Sequence, residues 1–265
     1  MITLTDVSMV FNPGTVNENR AINTINLTVK EGDFITVIGS NGAGKSTLFN
    51  LIAGTIIPSD GAISLNGRSI TNEPEFKRAR YIGRIFQNPL LGTASNMSLE
   101  DNMMITYKKG FKWLKRSLNN RMRDYFRSEL VQLRMGLEER MKENLAMFSG
   151  GQRQALTLLM MVLSKPDLIL LDEHTAALDP TNAQIVLELT HKFIREYNLT
   201  SMMITHNMSH AIEFGNRLLM MDKGEIIFDV EGEEKQALTV EKLIEKFHQI
   251  RHKSFENDRT LLSVE

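Results

Sequence analysis

The chain contains no cysteine, so neither a disulfide framework nor thiolate chemistry is open to it, a composition that fits the cytosol. It has no window approaching eighteen uninterrupted apolar residues, which predicts that it does not span a membrane by itself. The opening MITLTDVSMV lacks the charged and long apolar regions of a signal peptide. An excess of either charge is missing too: 31 Lys and Arg stand against 32 Asp and Glu, a formal net charge of −1. A duplex-binding protein would favour a clearly basic face, so nucleic acid is not expected as a partner. Neither the six histidines nor the sixteen methionines form a metal-ligating pattern, and the methionines read as core filler. There is no internal repeat and no low-complexity tract. The 265 residues can bury a sizeable core as one large domain or two intimate lobes.

A phosphate cradle organises the rest. Phe34 to Leu51 reads FITVIGSNGAGKSTLFNL. Phe34, Ile35, Val37 and Ile38 make an apolar, largely β-branched run expected as a buried strand. A glycine-studded turn follows, and Lys45, Ser46 and Thr47 open a helix through Leu48, Phe49 and Leu51. Gly39, Gly44, Lys45 and Ser46 fit G-x-x-x-x-G-K-[ST], the Walker A pattern, with Ser40, Asn41, Gly42 and Ala43 between the glycines. In such a loop the backbone N–H groups and a helix N-terminus point at the oxygens of a nucleotide triphosphate. Lys45 is expected to reach the β and γ phosphates, and the Ser46 hydroxyl to ligate Mg²⁺. Chance produces such a match in roughly one chain in a hundred of this size. Chance does not also supply the strand before it and the helix after it.

Short alternating strands precede the cradle: ITLTDVSMVF and INTINLTV, separated by Asn12-Pro13-Gly14, predict a small antiparallel sheet. After the cradle helix, Pro58 to Gly61 turns into another strand, and Asn66-Gly67 signals a hairpin. Tyr81 to Gln87 reads as a strand ending on a polar residue. From Ser98 the spacing becomes helical, with Ser98-Leu99-Glu100-Asp101 as a helix start and a second helix over Leu118 to Leu137. Residues 90–148 are therefore expected as an inserted helical lobe within a single domain spanning 1–240. An α/β pattern then resumes: helices over Gln152 to Ser164, Asn182 to Tyr197 and Met208 to Phe214, with strands over Leu168 to Leu171, Ser201 to Thr205, Arg217 to Asp222 and Glu225 to Asp229. Val240 to Ile250 reads as a C-terminal helix, and the tail from His252 as loosely ordered within the 241–265 extension.

Leu168 to Glu173, LILLDE, is four apolar residues ending in two carboxylates. A parallel strand beside the cradle strand would deliver both acids to the C-terminal edge of the sheet, where open α/β sheets bind ligands. Adjacent strand residues point apart, so the two acids can do different work. Asp172 is expected to hold Mg²⁺, directly or through water, and Glu173 to act as general base on the attacking water. Phe148-Ser149-Gly150-Gly151-Gln152 places a serine and two glycines at a helix start, a second anion-binding geometry.

With that stretch the sequence resembles the nucleotide-binding subunit of ATP-binding cassette (ABC) transporters, whose signature is LSGGQ, here with Phe148 in the leucine place. The resemblance covers roughly residues 2–230, its motifs in order. It implies a P-loop NTPase (RecA-like) α/β core with an antiparallel β subdomain and an inserted α-helical subdomain. It implies ATP and Mg²⁺ as ligands. It also implies a head-to-tail dimer, with ATP between the cradle of one protomer and Ser149, Gly150, Gly151 and Gln152 of the other. Gln87 matches the glutamine that contacts Mg²⁺ and water and links the site to the helical lobe. Asp179 matches the acid facing the dimer partner. His206, after the strand SMMIT, matches the histidine that donates to the γ-phosphate. A lone histidine is commonly a satisfied core or surface group, so its weight comes from position. Phe11 stands where the family stacks an aromatic on adenine.

Two departures stand out. The usual proline after the catalytic glutamate is His174, a titratable group that predicts pH-sensitive activity, and the signature leucine is Phe148. DEHTAALDP is similar to a subgroup associated with import of small solutes, amino acids among them. The implied partners are a second ATPase subunit, expected to be another copy of this chain, transmembrane permease subunits and a solute-binding protein. These would place the chain peripherally on the cytoplasmic face of the cell membrane. A soluble ABC ATPase serving cofactor assembly is the alternative. KKGFKWLKR, from Lys108 to Arg116, combines five cations with Phe111 and Trp113, which suits a nucleic-acid or membrane-surface patch; it reads rather as a solvated lobe face or as a contact with a membrane partner.

Overall fold

The computed structural model describes residues 1–107, 118–247 and 249. The run from Lys108 to Arg116 and the tail from His252 lie outside the described residues.

The alternating segments form an antiparallel sheet. β1 (Ile2–Phe11) pairs with β2 (Asn19–Val29) on one side and β4 (Asp60–Leu65) on the other; β4 turns back into β5 (Arg68–Ser69). Asn66 and Gly67 take φ of 49° and 78°, the left-handed pair a two-residue hairpin turn requires. Ile2, Leu4, Ile22, Leu27 and Ile63 are turned inward and buried.

The second sheet holds six strands in the order β10-β9-β3-β8-β7-β6. β3 (Phe34–Gly39), β6 (Ile82–Ile85), β7 (Leu168–Asp172), β8 (Ser201–Ile204) and β9 (Arg217–Asp222) run parallel, and β10 (Glu225–Glu231) returns antiparallel at the edge. Strands covered on both faces are apolar throughout, as LILL of β7 is, and alternation divides their side chains between two cores. Leu168 and Leu170 join α1 (Lys45–Ala53) and the antiparallel sheet. Ile169 and Leu171 join α5 (Gly150–Leu163) and α6 (Pro180–Glu196). The same core takes in α3 (Leu99–Tyr107) and α4 (Asn120–Val131) through Leu99, Met103, Phe126 and Leu130. Three short helices, α2 (Glu75–Arg78), α7 (Met208–Glu213) and α8 (Gly232–Gln236), join these, and residues 240–247 are helical.

Several expected elements change their limits. The strand from Tyr81 ends at Ile85, paired with Leu171, because β7 itself stops one residue later; Gln87 therefore lies beyond the sheet. The helix over Leu118 to Leu137 starts after Asn119, whose side chain caps Met122 N, and ends at Val131. Arg134 and Gly136 then take φ of 54° and 67°, which no helix continues through, while Leu133 and Leu137 stay buried and mimic helical spacing. The helix expected from Asn182 begins at Pro180, whose fixed φ and missing N–H suit a first helical position.

The expectation that β7 lies beside the cradle strand also fails. β8 sits between them, Ile204 pairing with Val37 on one side and Asp172 on the other. His174 is corrected too. Its ring is buried, with Nε2 3.0 Å from Thr190 Oγ1 on α6. The Thr190 hydroxyl donates to Val186 O at 2.7 Å, so the imidazole is the donor to Thr190. Burial pushes its pKa down to about 4, which leaves it neutral where the protein works. His174 is thus a core residue and not a titrating group of the site.

Arg78 is fully buried, and among the described residues no carboxylate is hydrogen-bonded to its guanidinium. That group donates to Leu51 O and Ile52 O at the C-terminal end of α1 and to Ile70 O, Thr71 O and Glu73 O, at 2.6–2.9 Å. A cation there answers the helix dipole and five carbonyls together.

Two stability measurements follow. Arg78→Met removes the cation these five carbonyls share and should cost about 3–5 kcal/mol in urea denaturation. For His174, the unfolded chain takes up a proton near pH 6.5 and the folded chain only near 4, so stability is full above 6.5 and is lost as the pH falls through that window. Between pH 7 and 4 the wild type should lose about 3 kcal/mol more than His174→Pro, measured by denaturation at each pH.

Candidate functional site

β3 ends at Gly39, and the loop to α1 closes on backbone from both sheets. A Cβ on Gly39 (φ 152°) would lie 2.2 Å from Met221 O of β9; one on Gly44 (φ 98°) would lie 2.6 Å from Ala21 O of β2. Only glycine fits at either place. The first turn of α1 carries no acid, and Gly44 offers no side-chain cap. The N–H groups that open the helix are left for an outside acceptor, at the positive end of the dipole. Ser40 Oγ donates to Asp222 Oδ1 at 3.0 Å, holding the loop to β9. Lys45 is buried and donates to Gly39 O at 2.8 Å and Ser40 O at 2.9 Å. Burial lowers its pKa, while Glu173 and Asp172 pull the other way.

A cavity of about 420 Å³ opens over this loop, lined by Asn41 to Thr47 with Phe11, Glu173 and His206. Phe11 enters it from the end of β1, where it pairs with Asn19. A second cavity of about 480 Å³ shares Ser46 and Glu173 and adds Gln87 and Asp172. The cradle, both acids, Gln87, His206 and Phe11 are therefore brought together. Because β8 separates β3 from β7, its C-terminal end delivers His206 between cradle and acids. His206 Nε2 lies 2.5 Å from Glu173 Oε1. Glu173 itself has φ 48°, a left-handed conformation that turns its side chain out of the strand line.

The structure does not bring Ser149, Gly150, Gly151 and Gln152 to these cavities. They open α5, with Ser149 and Gly150 exposed. Ser149 Oγ accepts from Gln152 N at 3.3 Å, and Gln152 Oε1 accepts from Ser149 N at 3.1 Å, a reciprocal capping box. Asp179 caps α6 through Asn182, and the Asn182 side chain fills the space where a Cβ of Gly151 would lie. Phe148 is buried under the Arg140 guanidinium, 4.2 Å away.

Two residues escaped the sequence analysis. Gln154 of α5 donates to Phe86 O at 3.1 Å and His174 O at 2.6 Å, joining the signature helix to both flanks of the site. Arg84 of β6 donates to Asp172 Oδ2 at 2.7 Å. The available signal was a charge inside YIGRIF, since a cation in a strand of a covered sheet needs a partner.

The ABC transporter sequence profile matches residues 22–176. The chain is 43% identical over 236 residues to the tyrosine transport ATP-binding protein of Clostridioides difficile (strain R20291), covering 89% of this chain and 92% of that protein. It is 33% identical over 247 residues to the methionine import ATP-binding protein MetN 2 of Bacillus anthracis, covering 90% and 70%. Among solved structures, a dimeric ATP-binding cassette in a post-hydrolysis state bound to ADP and Pi superposes with a TM-score of 0.70 at 25% identity, over 87% of this chain and 98% of that one. The Clostridium perfringens protein cbiO1, part of an ABC transporter complex, shares the fold with a TM-score of 0.74 at 23% identity, over 92% and 93%. A glycine-walled cradle facing two carboxylates and a histidine, on a fold shared with these cassettes, has one family to which it belongs: the chain is a member of the ABC transporter family and is an ATP-hydrolysing motor subunit.

Proposed function

We propose that this cassette powers import of an amino-acid-type solute, as one of a pair of identical cassettes docked on transmembrane permease subunits and served by a solute-binding protein. The observation that carries the chemistry is the joined cavity system in which Ser46, Gln87, Asp172 and Glu173 face the cradle loop. A hydroxyl, an amide oxygen and a carboxylate are hard oxygen donors of the kind Mg²⁺ selects, so Ser46, Gln87 and Asp172 would hold it. The metal would neutralise charge on the phosphates of ATP. Lys45, now bonded to its own loop, would turn its donors to the β and γ phosphates. Glu173 would take a proton from the attacking water, and His206 would leave Glu173 to donate to the γ-phosphate. Phe11 would stack on adenine.

Ser149, Gly150, Gly151 and Gln152 stand away from their own cradle, so their place is on the nucleotide of the second cassette, with Asp179 facing it. Residues 1–240 form the cassette in this scheme, with 90–148 as its helical lobe and 241–265 as an extension. An apolar groove of about 290 Å³ between core and lobe, lined by Phe86, Ile105, Met160 and Met161 among others, supports permease docking at the cytoplasmic membrane face. No helix among the described residues is long and apolar enough to cross a membrane, and in this reading the permease subunits supply the pore. The amino-acid solute rests on the names of the tyrosine and methionine relatives, which also favour a transporter over a cofactor-assembly ATPase.

Glu173→Gln should lower ATP turnover at least about 100-fold and accumulate an ATP-bound dimer in size-exclusion chromatography. Turnover at the wild-type rate would mean that another group is the base. Affinity purification of the tagged chain from detergent-solubilised membranes should yield a polytopic partner; recovery of soluble partners alone would reject the transporter assembly.

A further inference from the structure

Arg84 occupies a position that the proposed chemistry does not use. It lies on β6, one strand beyond the acids, and its side chain is held from three directions. Nη2 donates to Asp172 Oδ2 at 2.7 Å, Nη1 donates to Asn50 Oδ1 at 2.7 Å, and the guanidinium lies 4.8 Å from the centre of the Phe86 ring. Both ends of the ion pair are largely shielded from solvent, with side chains 12% and 15% exposed. Asn50 stands one helical turn after Ser46 on the same face of α1. Arg84 therefore braces the two elements that carry Ser46 and Asp172.

The pair is not arranged for stability alone. Arg84 engages a single oxygen of Asp172, where a two-pronged fork would bond both, and its buried Nε makes no hydrogen bond among the described residues. Burying an arginine with an N–H unmet is costly unless the charge serves a neighbour. The neighbour served is the carboxylate assigned to the metal.

Resting on that assignment of Asp172, we propose that Arg84 is the resident counterion of Asp172 between nucleotide cycles, and that it keeps the empty site from capturing a divalent cation on its own. With one Asp172 oxygen neutralised, the field left in the empty cradle is too weak to hold a dication. The phosphates of ATP supply the missing negative charge, so metal and nucleotide enter together. Arg84 acts as a positioning residue: it is bonded to Asp172 and works through it.

The test uses Mn²⁺ as probe on the nucleotide-free full chain, with the free-ion signal followed by electron paramagnetic resonance. Arg84→Met and Arg84→Gln should each bind Mn²⁺ at least tenfold more tightly than wild type. Adding Asp172→Asn to Arg84→Met should erase the gain, and Arg84→Lys, which keeps the cation, should stay within threefold of wild type. ATP affinity in EDTA identifies any variant whose cradle has not folded, and the two neutral variants substitute for each other if one fails. A folded neutral variant that binds Mn²⁺ no more tightly than wild type overturns the counterion role. Failure of the underlying assignment looks different: Asp172→Asn alone would then leave Mn²⁺ affinity in the presence of ATP unchanged.

Discussion

Two backbone carbonyls, Met221 O of the parallel sheet and Ala21 O of the antiparallel sheet, crowd the cradle so closely that only a hydrogen can stand at the Cα of Gly39 and of Gly44. The loop is thereby wedged between the two sheets and cannot relax into another shape. Everything that follows depends on this confinement. The first turn of α1 starts at a fixed point with its N–H groups aimed into the cavity, and Phe11 and His206 reach that cavity because their strands are tied to the same sheets. A cradle of independent, flexible glycines would present the same groups without fixing their direction.

The charges of the site are arranged in mutual restraint. Lys45 is bonded to its own loop, His206 to Glu173, and Arg84 to Asp172. These charged groups are paired within the chain, and a bound triphosphate would displace or join these contacts. Charges withdrawn from water are costly without a partner, and the internal pairs supply one. Gln154 adds a mechanical link, holding the backbone at Phe86 and at His174 from the first turns of the signature helix. Movement of that helix against a partner would be felt on both sides of the acids.

Much of this was legible residue by residue. The strand, glycine loop and helix from Phe34 to Leu51 follow from local pattern, because phosphate binding by backbone N–H groups demands that succession in contiguous sequence. LILLDE declared a buried strand ending in acids for the same reason. Gln152 was expected on a nucleotide, yet in the isolated chain its side chain closes a capping box with Ser149, a local bond that competes with any ligand. His174 was misjudged because a sequence gives the residue type but not the direction of its ring; burial beside Thr190 turned a titratable side chain into core.

By itself the sequence determined which chemistry is present, since the cradle, the acids and the strand-ending histidine are each contiguous motifs whose local geometry is set within a few residues. Only the tertiary structure decided which of them meet. The order of strands placed β8 between cradle and acids, gave Glu173 its histidine and Asp172 its arginine, and left the signature serine and glycines facing away. Such neighbours are chosen by sheet topology and packing between residues far apart in the chain, 88 for Arg84 and Asp172 and 182 for Ser40 and Asp222, and no local pattern records them.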